Sequence, residues 1–181
     1  MEPQFVGREV EMRSMHLRSL IYTGLFAGCA VLVSGIHFPV GPTKVFPFQH
    51  TVNVLAGIVL GPWYGALAAF LAGIIRISIG TGTIFAIPGG IPGALVVGLM
   101  YRVFRNDWVA LTEPIGTGPI GATLSALIVA PLIGKAGTWV FFQSAFLASS
   151  IPGSIIGLVL VKSLRKVVNL DVCYEGSVKK C

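Results

Sequence analysis

Residues 20–35 read LIYTGLFAGCAVLVSG, an apolar run without a single charge. With its flanks it makes a candidate span over residues 15–35, and a membrane-crossing helix needs about 20 mostly apolar residues to cover about 30 Å of hydrocarbon. The signature recurs down the chain. Further spans are expected over residues 46–60, 66–79, 84–104, 115–133 and 138–161, separated by turn signals such as Gly61-Pro62-Trp63-Tyr64-Gly65 and Gly80-Thr81-Gly82-Thr83. The fourth is expected to be interrupted near its start by Pro88-Gly89-Gly90 and Pro92-Gly93. Of 181 residues, 54% are hydrophobic and 11% charged, whereas a soluble domain carries about 25% charged residues. A chain this short cannot enclose so much apolar surface in one globular core. The expectation is an all-α integral membrane protein. Six transmembrane helices occupy residues 15–168, flanked by short tails at 1–14 and 169–181, with no room for a soluble domain.

The first span is read as a mature helix rather than a cleaved leader. Its apolar stretch is too long, Glu9 and Glu11 mix with the basic residues before it, and further spans follow. Orientation follows from the Lys/Arg bias of short loops. Arg8, Arg13 and Arg18, then Arg102 and Arg105, then Lys162, Arg165, Lys166, Lys179 and Lys180 share one side, against Lys44 and Lys135 on the other. Both termini are therefore expected in the cytoplasm. The net charge of +6 is an orientation signal and not a nucleic-acid patch.

Polar groups within hydrocarbon are costly unless they face a bundle interior or cavity, which makes them candidates for function. Arg76 lies roughly 20 Å along the third span at ~1.5 Å per residue, in its outer third. Its neighbours at helical spacing are Ala69, Gly73 and Gly80, so it faces packed protein or water; it either meets a ligand or satisfies itself at the interface. Gln49, His50 and Asn53 open the second span on the same outer side, and Phe85 opens the fourth. On the sixth, Trp139, Gln143, Phe146 and Ser150 recur at steps that put them on one face. Together these suggest a pocket open to the outside, walled by residues 87–93 and lidded by residues 36–48. Alternatives stay open: Trp139 suits an interfacial aromatic belt, His50 a packing role, and Lys44 a plain loop lysine.

Small residues four apart, Gly24/Gly28, Gly57/Gly61 and Gly153/Gly157, allow close helix approach, inside the bundle or with a partner. All seven Asp and Glu are expected in the termini or in the one charged loop holding Asp107 and Glu113. No carboxylate relay then crosses the membrane, which disfavours an autonomous ion-coupled transporter. There is no P-loop and no metal-ligand spacing, with the three Cys and three His scattered. Ser34 with His37 or His50 is a conceivable nucleophile pair, but nothing like a nucleophile elbow surrounds it. No cofactor or metal is expected. The reading is a membrane pocket without its own energy source, with an intramembrane hydrolase and a ligand-free assembly subunit as rivals.

At this point the residues resemble a known family. Leu60-Gly61-Pro62-Trp63-Tyr64-Gly65-Ala66-Leu67 is similar to a turn between the second and third helices of substrate-binding (S) components of energy-coupling factor (ECF) vitamin transporters. The stretches Val40-Gly41-Pro42-Thr43-Lys44-Val45-Phe46-Pro47-Phe48-Gln49-His50 and Phe85-Ala86-Ile87-Pro88-Gly89-Gly90-Ile91-Pro92-Gly93-Ala94 look like the ThiW branch. The resemblance implies a six-helix S-component bundle that captures the thiamine precursor hydroxyethylthiazole at the outer face. It also implies docking through the first helix on a transmembrane coupling subunit, with paired ATPases driving transport. The docking pattern in that class is of alanines, and the matching positions here are Gly24, Ala27 and Gly28, a departure that leaves the register open. For the thiazole ring, Phe85, Trp139 and Phe146 would supply aromatic faces. Lys44, Gln49, His50, Asn53, Arg76, Gln143 and Ser150 would supply the polar contacts. Hydroxymethylpyrimidine or intact thiamine would suit the same composition.

Overall fold

The computed structural model describes residues 3–40, 43–135, 137–168 and 170. Six helices form one bundle: α1 (Pro3–Val33), α2 (Pro47–Leu60), α3 (Pro62–Ser78), α4 (Ala86–Phe104), α5 (Asp107–Leu132) and α6 (Trp139–Leu164). Strands β1 (Phe38–Val40) and β2 (Thr43–Val45) pair antiparallel between α1 and α2, with Phe38 opposite Val45 and Val40 opposite Thr43. The expected loop lid thus contains a hairpin, built where β-branched and aromatic residues outweigh helix formers. The hairpin marks one end of the bundle; the Gly61 turn between α2 and α3 marks the other. Asn169 and residues 171–181, expected as a tail, lie outside the described residues; at the other end α1 already begins at Pro3.

The packing is inverted relative to a soluble core. On α1, among the residues whose side chains are described, the buried positions are Ser19, Thr23, Ala27 and Ala30, with Ser34 buried just beyond its end, while Leu17, Leu20, Ile21, Leu25 and Leu32 point outward. Small inward residues let α1 lie close against α2 and α3. Large outward ones suit hydrocarbon as solvent. Helices α4, α5 and α6 and residues 14–33 of α1 are long and apolar enough to cross a membrane, and α3 is a shorter apolar helix. At 14 residues α2 is only about 21 Å long. It runs through the centre of the bundle, packed on α1, α3, α4 and α6.

Glycine sets the closest approaches. A side chain at Gly98 would meet Pro62 backbone atoms at 2.5 Å, and one at Gly57 would meet the Ala94 carbonyl at 2.9 Å, so α4 seats directly on α2 and the α2–α3 turn. Gly61 itself has φ +83°, outside the range that side chains favour, and Pro62 starts α3 where a missing N–H costs nothing. Gly157 lies against Val54, and Gly153 against Pro47 and His50, fixing α6 on α2.

The expected interruption of the fourth helix is not there. α4 is helical from Ala86, because Pro88 falls in the first turn, where no intrahelical N–H bond is lost, and Pro92 is accommodated inside. The irregularity sits in α5 instead. It opens as a 3₁₀ segment (Asp107–Thr112) and widens into π turns at Gly116–Ile120 and Ser125–Val129. Gly116 and Gly121 in α5 lie against the Pro92 and Pro88 carbonyls. The proline-rich start of α4 and the glycines of α5 thus fit each other.

Candidate functional site

A cavity of about 590 Å³ opens at the hairpin end, within the range of ligand sites. It is bounded by β2 and the start of α2, by the loop after α3, by the first turns of α4, by Lys135 and by the first half of α6. One wall is aromatic. Phe85 and Phe142 have ring centroids 4.7 Å apart, Phe142 and Phe146 6.1 Å, and Phe141 and Phe142 5.6 Å. The glycines of the Pro88-Gly89-Gly90 run form the adjoining wall, with the Phe146 ring close over Gly89.

The opposite side is polar and organised around Arg76, which is 2% exposed at the C-terminal end of α3. Its Nη1 donates to Gln49 Oε1 and its Nη2 to the Thr81 carbonyl at 3.3 Å, and Cζ lies 4.5 Å from the centre of the Phe46 ring. The backbone N–H groups of Thr81 and Gly82 in turn donate to the Arg76 carbonyl at 2.9 and 3.0 Å. Arg76 therefore both lines the cavity and holds the loop that closes one side of it. Its Nε is buried with no hydrogen-bond partner among the described residues.

Deeper, His50 lines the cavity with its Nδ1 2.8 Å from Glu113 Oε1, the same oxygen to which Thr117 Oγ1 donates at 2.6 Å. Glu113 is 0% exposed. Its expected place in a solvated loop is corrected: α5 begins earlier than the apolar run suggested, and Gly93 leaves the space that the carboxyl group fills. The partner lies 63 positions away, on a different helix, so no local pattern announced the pair.

The structure brings Lys44, Gln49, His50, Arg76, Phe85 and Phe146 to the cavity wall. It places four other candidates elsewhere. Asn53 is buried one turn below Gln49, donating to the Gly90 carbonyl at 3.3 Å, so it supports the glycine wall from behind. Trp139 is 45% exposed and donates through Nε1 to Thr123 Oγ1 at 3.1 Å. Gln143 lies beside Gly118 of α5, and Ser150 is fully buried. On α6 the cavity face is Phe141, Phe142, Ala145, Phe146 and Ser149, turned about one residue, or about 100°, from the face through Trp139, Gln143 and Ser150. The reason is α5, whose glycines draw the latter face toward it.

Residues not singled out from the sequence are Phe46, Thr81, Lys135, Phe141, Phe142 and Ser149, which line the cavity, and Glu113 behind it. Ser149 Oγ accepts from the Phe46 backbone N–H at 3.2 Å, tying α6 to the hairpin. Their common signal is position: nearly all fall in the first turns or flanking loops at the hairpin end.

Of the expected docking positions, Gly24 is exposed and Gly28 half-buried, and a side chain at either would meet nothing within 4 Å. Ala27 points inward, packed with Ala30, Val52 and Ala72. Ser34 Oγ donates to the Val31 carbonyl at 2.6 Å, while His37 sits at the Gly35 carbonyl and His50 at Glu113, so the conceivable nucleophile pair is not assembled. Among the described residues no three His, Cys, Asp or Glu side chains gather as a metal site.

A family model described as thiamine-precursor transporter protein (ThiW) matches residues 20–167. The biotin transporter BioY of Rhodobacter capsulatus is 28% identical over 182 residues, which cover 83% of this chain and 93% of that protein. Among solved structures, the S-component for biotin from an ECF-type ABC transporter aligns with a TM-score of 0.62 at 16% identity, over 87% of this chain and 95% of that one. At that identity the likeness concerns the fold.

Proposed function

Because the chain belongs to the ThiW family of thiamine-precursor transporter proteins and has the fold of an ECF S-component, we propose that it is the substrate-binding subunit of an ECF-type importer for the thiazole half of thiamine, built on the hydroxyethylthiazole skeleton. All six helices lie in a prokaryotic cell membrane with both termini cytoplasmic, and the hairpin end opens outward. The chain binds and carries; it does not catalyse. A transmembrane coupling subunit and paired ATPases supply the energy, and the open Gly24/Gly28 strip of α1 is the surface that meets the coupling subunit.

The observation that carries this reading is the cavity itself, with a phenylalanine wall facing Gln49, His50 and Arg76. A flat heteroaromatic ring stacks or packs edge-on against such a wall, while a few convergent donors and acceptors fix its orientation. Calorimetric titration of the purified, ligand-stripped chain with hydroxyethylthiazole, hydroxymethylpyrimidine, thiamine and biotin tests it. Selective binding of the thiazole compound supports the reading. Selective binding of another member keeps the transport role and replaces the substrate. A folded protein silent toward all four favours an assembly subunit.

A further inference from the structure

We propose that the ligand of this cavity carries an anionic oxygen group, a phosphate ester or a carboxylate, held by Arg76 at depth with Lys44 and Lys135 at the mouth. The inference rests on reading this cavity as the vitamin-precursor site and refines which form of the precursor it takes. Of the described residues, three cationic side chains line the cavity and no acidic side chain does. Among the described residues, no carboxylate lies within ion-pair distance of Lys44, Arg76 or Lys135. Glu113 sits behind His50; its Oε1 is shared by His50 and Thr117, and its Oε2 is buried with no hydrogen-bond partner among the described residues.

Arg76 is the decisive group. A buried cation is expensive unless an opposite charge or a full set of acceptors compensates it. Here the compensation is a neutral amide, one carbonyl and the face of Phe46, and Nε remains unpartnered. A carboxylate or phosphate, whose oxygens can take two donors in one plane, would replace the neutral Gln49 and Thr81 acceptors that the Nη groups of this wall-lining guanidinium now use. Lys44 and Lys135 are exposed and line the same cavity. As mobile point charges they draw an anion to the mouth, and salt weakens that attraction. A neutral alcohol could accept a hydrogen bond from Arg76 but would leave all three positive charges uncompensated. The aromatic wall and the cationic side together describe an amphiphilic ligand with a flat ring at one end and a negative charge at the other.

The test is calorimetric titration of the full chain with hydroxyethylthiazole, its phosphate ester, and the thiazole whose side arm ends in a carboxylate, with biotin as an anionic compound lacking the thiazole. Each is run at low and high salt. At least one of the two thiazole anions should bind about ten- to hundredfold tighter than the alcohol, the range for hydrogen bonds to charged groups, and raised salt should narrow the gap. Which anion wins separates phosphate from carboxylate. Arg76→Gln should erase most of the gap; if Arg76 only clamps its loop, all compounds weaken alike. Because that variant bears on folding, the exposed pair Lys44→Gln/Lys135→Gln provides a second readout, and should weaken the preferred anion by about tenfold more than the alcohol. The inference is overturned if the alcohol binds as tightly as both anions, or if the lysine variant shifts every compound equally. If no thiazole binds but biotin does, the substrate reading fails and the anion inference stands. Silence toward all four from a folded protein overturns both.

Discussion

Removing the Glu113 carboxyl group is the sharpest perturbation of the bundle interior. Glu113 is fully buried, receives the Thr117 hydroxyl at 2.6 Å and faces His50 Nδ1 at 2.8 Å. Glu113→Ala leaves two buried polar groups without their partner and opens a void beside Gly93. Two buried groups left unsatisfied at about 1–3 kcal/mol each, together with the void, make a loss of about 3–5 kcal/mol. For a chain of this length one kcal/mol corresponds to about 2–4 °C in melting temperature, so the expected fall is roughly 6–20 °C. Glu113→Gln keeps a carbonyl oxygen where Oε1 sits and loses only the charge assistance, worth about 1 kcal/mol, or roughly 2–4 °C. The assay is thermal unfolding of the purified variants in a single detergent, followed by intrinsic fluorescence. Ala within about 2 °C of wild type would refute the pair as a stabilising element. Gln falling as far as Ala would refute the hydrogen-bond accounting and assign the stability to charge alone.

Three further outcomes are expected. Phe142→Ala removes the ring shared by the Phe85 and Phe146 contacts, and should weaken ligand binding more than Trp139→Ala, which lies outside the cavity wall; equal losses by calorimetry would argue against the wall as described. Gly98→Ala drives a methyl group into the Pro62 backbone and should cost about 1–3 kcal/mol, or roughly 2–12 °C, whereas Gly24→Ala meets open space and should leave the melting temperature unchanged or raised. Gly24→Leu/Gly28→Leu should abolish co-purification with a coupling subunit while ligand affinity persists; retained assembly would remove that strip of α1 from the docking surface.

The sequence located much of the site for reasons that are local. Runs of apolar residues and the turns between them fix where helices lie, because the hydrocarbon demands length and the backbone demands internal hydrogen bonds. Arg76, Gln49 and His50 stood out because polar groups in such runs are costly without a cavity. The residues that escaped notice did so for equally physical reasons. Phe142 and Ser149 differ from Gln143 and Ser150 only in rotational phase on α6, and that phase is set by the packing of α5. Lys135 and Phe46 lie in connecting segments, where no period exists to read.

What the sequence determined by itself, then, is a membrane-embedded helical chain of the ThiW family with its unusual polar groups gathered toward one end. Composition and linear periodicity carry the membrane helices and the placing of the polar groups, while the family rests on the resemblance of its motifs. What only the tertiary structure decided is which faces meet: the Glu113–His50–Thr117 cluster, the Gly98–Pro62 contact, the π-turned α5 that rotates the α6 face, and the encirclement of Arg76 by Gln49, Phe46 and Thr81. Each joins residues on different elements. Their pairing depends on helix rotation and close glycine contacts, which are properties of the packed bundle and not of any one segment.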